Sequence, residues 1–119
     1  MTTFVHRIRL SVQFELDQAS RAEASGQAEA AFRHLERAHI LGQAATAEHV
    51  RVHWRMLLWA IHDRKPCEAS GQTWRLIAAA LMTGFGWLPE GNTGGANVNG
   101  FRRMPIPPDL QRIIDAAGR

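Results

Sequence analysis

The stretch AEAAFRHLERAHILGQAATAEHVRVHWRMLLWAIHD, residues 28–63, decides the fold. Ala28, Ala31, Phe32 and Leu35 recur at i, i+3 and i+4, the spacing of one buried helix face, and predict a helix over 28–41. Gly42 stands where a helix commonly ends on a residue free to turn left-handed. Thr46 or Ala45 opens a second helix over 45–63, with Val50, Trp54, Leu57, Leu58 and Ile61 as its apolar stripe. Val52 and Trp59 fall on the other side, so this helix is expected to be covered twice. Lys65-Pro66 ends it, because proline cannot continue a helix and turns the residue before it away from helical angles.

The same period extends both ways. Upstream, Phe4, Ile8, Val12, Ala19 and Ala22 mark a helix over 3–24, and Gly26 breaks it from the next. Downstream, Trp74, Ile77, Ala78, Leu81 and Phe85 mark a helix over 68–83, which Gly84 and Gly86 end. Short connections between amphipathic helices make antiparallel neighbours. No helical period is visible from Trp87 to Pro108. Residues 92–100, Asn-Thr-Gly-Gly-Ala-Asn-Val-Asn-Gly, are loop chemistry, and Met104-Pro105-Ile106-Pro107-Pro108 should be extended. The apolar Trp87, Leu88, Val98, Phe101, Met104 and Ile106 predict that this segment packs on the helices. A short helix over 109–117 closes the chain. The expected architecture is all-α: one domain over 1–119, with two antiparallel helical hairpins in 1–86 and a wrapping Gly/Pro-rich segment and short helix in 87–119.

The first hairpin resembles a tetratricopeptide unit, with Gly26 in the turn and Ala31-Phe32, Leu35 and Ala38 behind it. Gly71-Gln72-Thr73-Trp74 repeats the pattern weakly. Two such units fall short of the three a solenoid usually needs, so the resemblance argues for hairpins and not for an array.

The composition narrows the function classes. The single cysteine, Cys67, excludes an intrachain disulfide and suits a reducing compartment. Charged residues interrupt the N-terminal stretch Met1–Leu16, so it does not read as a signal peptide, and no apolar run is long enough to cross a bilayer. The expectation is a cytoplasmic protein without a membrane partner. The net charge is +3, but the arginines stand singly among acids and only Arg102-Arg103 are adjacent. That is the pattern of solvated helix faces, and a nucleic-acid partner is not expected. The glycine-rich loop lacks the spacing and the preceding strand of a phosphate-binding loop and reads as a packing segment. Cys67 has no evident base partner and reads as inert.

Leu35-Glu36-Arg37-Ala38-His39-Ile40-Leu41-Gly42-Gln43, His49-Val50-Arg51-Val52-His53, Gly86-Trp87-Leu88-Pro89, Gly91-Asn92-Thr93-Gly94-Gly95-Ala96-Asn97-Val98 and Met104-Pro105-Ile106-Pro107 together resemble an uncharacterised family of small bacterial helical proteins, catalogued as a domain of unknown function. The resemblance covers most of the chain and implies a bacterial protein. It carries no catalytic residue with it.

Polar residues on the apolar stripes point to chemistry. Glu15 falls among Ile8, Val12 and Ala19, and His39 lies with Phe32 and Leu35. A carboxylate at a core position is costly unless it is paired, protonated or metal-bound. Counted from Gly26, Glu15 and His39 sit at similar heights, and His39 and His49 are similarly placed about the turn near 43–45. His53 is one turn beyond His49, and Glu36 precedes His39 at i, i+3. The expected site therefore gathers Glu15, Glu36, His39, His49 and His53 between three helices. Imidazoles with a carboxylate or two suit zinc, iron, manganese or copper. Glu36-x-x-His39 with Glu15 resembles half of a di-iron carboxylate bundle, and the missing half favours a mononuclear centre. The competing structural reading makes Glu15 and His39 a buried ion pair and has His49 and His53 edging the core. In that case the protein would be a tetratricopeptide-like interaction module with a protein partner. A metal-dependent oxidoreductase is the third alternative. His6, His34 and His62 fall off the core faces and are expected in solvent.

Overall fold

The computed structural model describes residues 2–65, 67–68, 71–72, 74–75 and 104–119. They form α1 (Thr2–Ala24), α2 (Ala28–Gly42), α3 (Thr46–His62) and α4 (Pro108–Gly118). Cys67, Glu68, Gly71, Gln72, Trp74 and Arg75 are also helical, and the described residues contain no strand. Most of the fourth predicted helix and the expected wrapping segment, from residue 76 to 103, lie outside the described residues. Met104 to Pro107 are non-helical, and Ile106 packs partly buried against the core.

The turn at Gly26 follows from its chemistry. Gly26 has φ +74°, its N–H donates to Glu23 O, and Gln27 N–H donates to Ala22 O. This pair of bonds satisfies the last carbonyls of α1 and lets α2 fold back against it. The end of α3 repeats the device, with Arg64 N–H on Ile61 O and Lys65 N–H on Ala60 O. There the left-handed residue is Arg64 at φ 55°, so α3 turns before Pro66 is reached. Gly42 works differently. It is the last residue of α2 and no turn residue, and a Cβ there would meet Glu48 Cβ at 3.1 Å and Val12 Cγ2 at 3.3 Å. Its role is close approach of three helices.

Contacts fix the helix order. α1 packs against α2, α2 against α3, and α4 against both α1 and α2. Along α3, Arg51 donates to Gln13, Arg55 to Ser20, and His62 lies by Glu23, so partner numbers rise together on α1 and α3. Trp59 on α3 reaches back to Ala28 at the start of α2, whereas His49 meets His39 near its end. The core is Ile8, Val12, Leu16 and Ala19 of α1, Ala31, Leu35 and Ala38 of α2, Val52, Met56, Trp59 and Ala60 of α3, and Leu110 of α4.

The apolar faces of α1 and α2 are those the sequence predicts. The face of α3 is not. Trp54, Leu58 and Ile61 of the expected stripe are 50%, 43% and 60% exposed, and the buried face is the opposite one, with Val52 and Trp59. The expected stripe is the larger one, but Trp59 decides the orientation. Its Nε1–H donates to Ala28 O at 2.9 Å and its ring lies 4.4 Å from that of Phe32. Trp74, expected on a core face, is likewise exposed.

Candidate metal centre

Turning α3 onto its Val52–Trp59 face has a consequence for polar residues. His49 and His53 lie one turn apart on that face, and His39 lies in the last turn of α2 beside them. All three are buried, at 3%, 3% and 2% exposure for His39, His49 and His53. Their ring centroids form a near-equilateral triangle with sides of 4.8, 4.7 and 4.8 Å, and the ring planes cross at 54–71°. His49 Nε2 lies 3.0 Å from His39 Nε2 and 3.2 Å from His53 Nε2. His39 and His53 therefore each bring Nε2 against that of His49, and the three histidines offer ligand nitrogens within 4.8 Å of one another.

The protonation of the group follows from burial. Desolvation, with a smaller contribution from His53, lowers the His49 pKa to about 3. Desolvation also dominates at His53 and brings it to about 4, with the Gln72 hydrogen bond opposing and the Arg75 charge assisting. Near neutral pH both are neutral and keep a ring lone pair, the form that binds a metal.

The geometry can be tested against an ion. Nitrogen–zinc bonds of about 2.05 Å at tetrahedral angles put ligand nitrogens roughly 3.3 Å apart. The observed 3.0 and 3.2 Å need an outward shift of a few tenths of an ångström. The donor set fits too, since neutral imidazole suits zinc, copper, iron and nickel. Behind His53, its Nδ1 lies 2.5 Å from Gln72 Oε1, and Gln72 Nε2–H donates to Glu68 Oε2 at 2.6 Å.

The carboxylates of the expected site do not join the three histidines. Glu15 is buried, but its Oε1 lies 2.8 Å from His34 Nδ1 and its Oε2 accepts from Arg37 Nε at 3.1 Å. Arg37 also donates to Asp109 Oδ2 at 2.6 Å, so Glu15 is one end of a clasp joining α1, α2 and α4. Asp109, with Glu15 behind it, raises the Arg37 pKa, and Arg37 in turn lowers that of Asp109. Glu15 and His39 are not a pair, and His34 is not a purely solvent-facing residue. Glu36 is half-buried on α2, one turn before His39. Its carboxylate, like that of Glu15, is not among the ligand atoms that converge with the three histidines within 4.8 Å.

Some residues of the site had no signal in the chain. Glu68 and Gln72 read as an ordinary i, i+4 pair on a helix surface. Glu48 next to His49 is buried and is held by Arg51 Nη2 at 2.5 Å. A second group, Glu23, His62 and Asp63, also brings ligand atoms together, but His62 is exposed and its 3.4 Å approach to Glu23 is a surface contact. The groove beside it, lined by Ser20, Arg55, Leu58, Trp59 and Ile61 among others, includes none of the three buried histidines. Among the described helices, none is long and apolar enough to cross a membrane.

A family model described as "Protein of unknown function (DUF3703)" matches residues 6–114. No curated protein and no solved structure matches the chain.

Proposed function

The chain belongs to the DUF3703 family, and for it we propose the function of a small metal-binding protein that holds one transition-metal ion on His39, His49 and His53. The observation that carries this reading is the convergence of three buried Nε2 atoms at near-bonding separations. Burying three imidazoles tip to tip is a poor way to fill a core. Each brings a polar nitrogen that must be satisfied, and a shared proton can serve only one of the two short contacts at His49 at a time. A metal ion serves all three at once. It would supply Lewis acidity at a site held by neutral ligands, and the depressed pKa values keep protons from competing.

Zinc, copper and iron fit the nitrogen donors, whereas manganese favours carboxylate oxygens that the trio does not supply. Glu15 and Glu36 have no place among the proposed ligands. The wider architecture we read as tetratricopeptide-like hairpins carrying the Gly/Pro-rich segment on the bundle, in a cytoplasmic protein. The hairpins are the scaffold, and the exposed Trp54, Leu58 and Ile61 give the interaction-module reading its one supporting observation.

Titration of chelator-stripped protein with zinc tests the proposal. One equivalent per chain should bind, and the melting temperature should rise, since a ligand at about 1,000 times its Kd stabilises by roughly 4 kcal/mol. No uptake of zinc, copper, iron, manganese, nickel or cobalt, with melting unchanged by chelator, would overturn it.

A further inference from the structure

We propose that Glu68 and Gln72 are the positioning residues of the histidine centre, holding His53 in the tautomer whose Nε2 lone pair faces His39 and His49. The purpose of this arrangement rests on the metal reading above, but its geometry and first test do not.

The hydrogen bonds fix the tautomer from the outside inward. A carboxylate oxygen accepts hydrogen bonds and has none to give, so the group of Gln72 that faces Glu68 Oε2 at 2.6 Å must be its NH2. That choice is not open to Gln72 as it would be in water, because its side chain is completely buried. With the NH2 turned to Glu68, the Oε1 faces His53 Nδ1 at 2.5 Å. A carbonyl oxygen also only accepts, so Nδ1 must carry the hydrogen. A neutral imidazole has one N–H, and Nε2 of His53 is therefore bare. That atom lies 3.2 Å from His49 Nε2, at the convergence point.

The sequence supplies the relay economically. Glu68 and Gln72 are four residues apart, so one helical face presents both, the carboxylate one turn behind the amide. The stretch that carries them follows Pro66 and is separate from the helices that carry the three imidazoles. An amide that only needed satisfying in a core would be content with its two groups exchanged. Here the carboxylate removes that freedom, and the direction it selects is the one a metal ligand needs. A partner on the second ring nitrogen of a ligand histidine fixes ring orientation and raises basicity, and losing it typically costs about 10–100-fold in metal affinity.

The test begins with metal-free, 15N-labelled wild-type protein near pH 7, in two-bond proton–nitrogen correlation spectra of the histidines. His53 should show hydrogen on Nδ1 and a bare Nε2. Gln72→Leu should move the hydrogen to Nε2 and weaken zinc binding by about 10–100-fold. The double exchange Glu68→Gln with Gln72→Glu, which conserves charge and leaves an acceptor toward Nδ1, should restore both the tautomer and the affinity. A wild-type His53 that carries its hydrogen on Nε2 overturns the inference without any variant. So does a folded Gln72→Leu protein with wild-type tautomer and wild-type zinc affinity. If the wild-type tautomer is as stated and the double exchange preserves it, but no variant or wild-type protein binds zinc, the positioning stands and the metal reading falls.

Discussion

Replacing His49 by alanine should abolish tight metal binding at the proposed centre. His49 is the middle member of the trio, with both short nitrogen contacts, 3.0 Å to His39 and 3.2 Å to His53, made by its Nε2. Without it two imidazoles remain, from different helices, and the tripod becomes a bidentate site. The loss of affinity should exceed the ~100-fold that follows from removing the partner of a single ligand. His39→Ala should do nearly as much, because it takes away the ligand that joins α2 to α3. His34→Ala supplies the contrast. His34 is also a histidine of α2, but its Nδ1 is on Glu15, so its loss should leave metal content unchanged while weakening the clasp to α1. Metal stoichiometry of the three variants, each prepared without an affinity tag, checks the pattern. Equal metal content in the His34 and His49 variants would break the link between the trio and the metal.

Acid should destabilise the metal-free protein before carboxylates titrate. His49 and His53 have folded-state pKa values of about 3 and about 4, against about 6.5 in an unfolded chain. Above pH 6.5 both states hold these residues neutral, and their burial carries no proton penalty. Below it the unfolded state takes up protons that the folded state refuses, so stability falls with falling pH, and continues to fall until the folded pKa values are passed. Each residue contributes about 1.4 kcal/mol per pH unit, so two units below 6.5 the pair removes roughly 5 kcal/mol. That is a large part of the 5–15 kcal/mol typical of a domain. The range from pH 6.5 to 5 is the informative one, since it lies above the ordinary carboxylate values. Denaturant midpoints should decline through that range in the wild type and decline about half as steeply in His53→Gln. A flat midpoint between pH 7 and 5 would contradict the burial of neutral imidazoles.

How much of this was legible in the chain differs from element to element. The stripes Ile8–Val12–Ala19 and Ala31–Leu35 face the core as their spacing requires, because those helices offer one apolar face each. α3 offers two. Counting apolar residues favours Val50, Trp54, Leu57, Leu58 and Ile61, yet the face with Val52, Met56 and Trp59 is the buried one. What the count omits is the indole N–H of Trp59, which finds its carbonyl only in that orientation.

The site was half legible for a related reason. Height along a helix can be counted from a turn, and Glu15 does lie level with the middle of α2. Direction around the helix cannot be counted so simply. Arg37 and His39 differ by two residues and thus by about 200° around the axis, which sends Arg37 to Glu15 and His39 to α3. The grouping of His39, His49 and His53 is legible because the turn between α2 and α3 is short and His49 and His53 share a face. Gln72 and Glu68 are not, since nothing in a surface-type i, i+4 pair announces that its amide is buried against an imidazole.

If three imidazole nitrogens of one chain hold one metal ion, X-ray absorption at the metal edge of protein loaded with one equivalent of zinc should see them. The expected spectrum has a nearest shell dominated by nitrogen at about 2.0–2.1 Å, with the outer-shell scattering of three imidazole rings. That outer-shell pattern should weaken in His49→Ala protein. A shell of oxygens without imidazole scattering, or a wild-type protein that retains no zinc to measure, would contradict three-imidazole coordination.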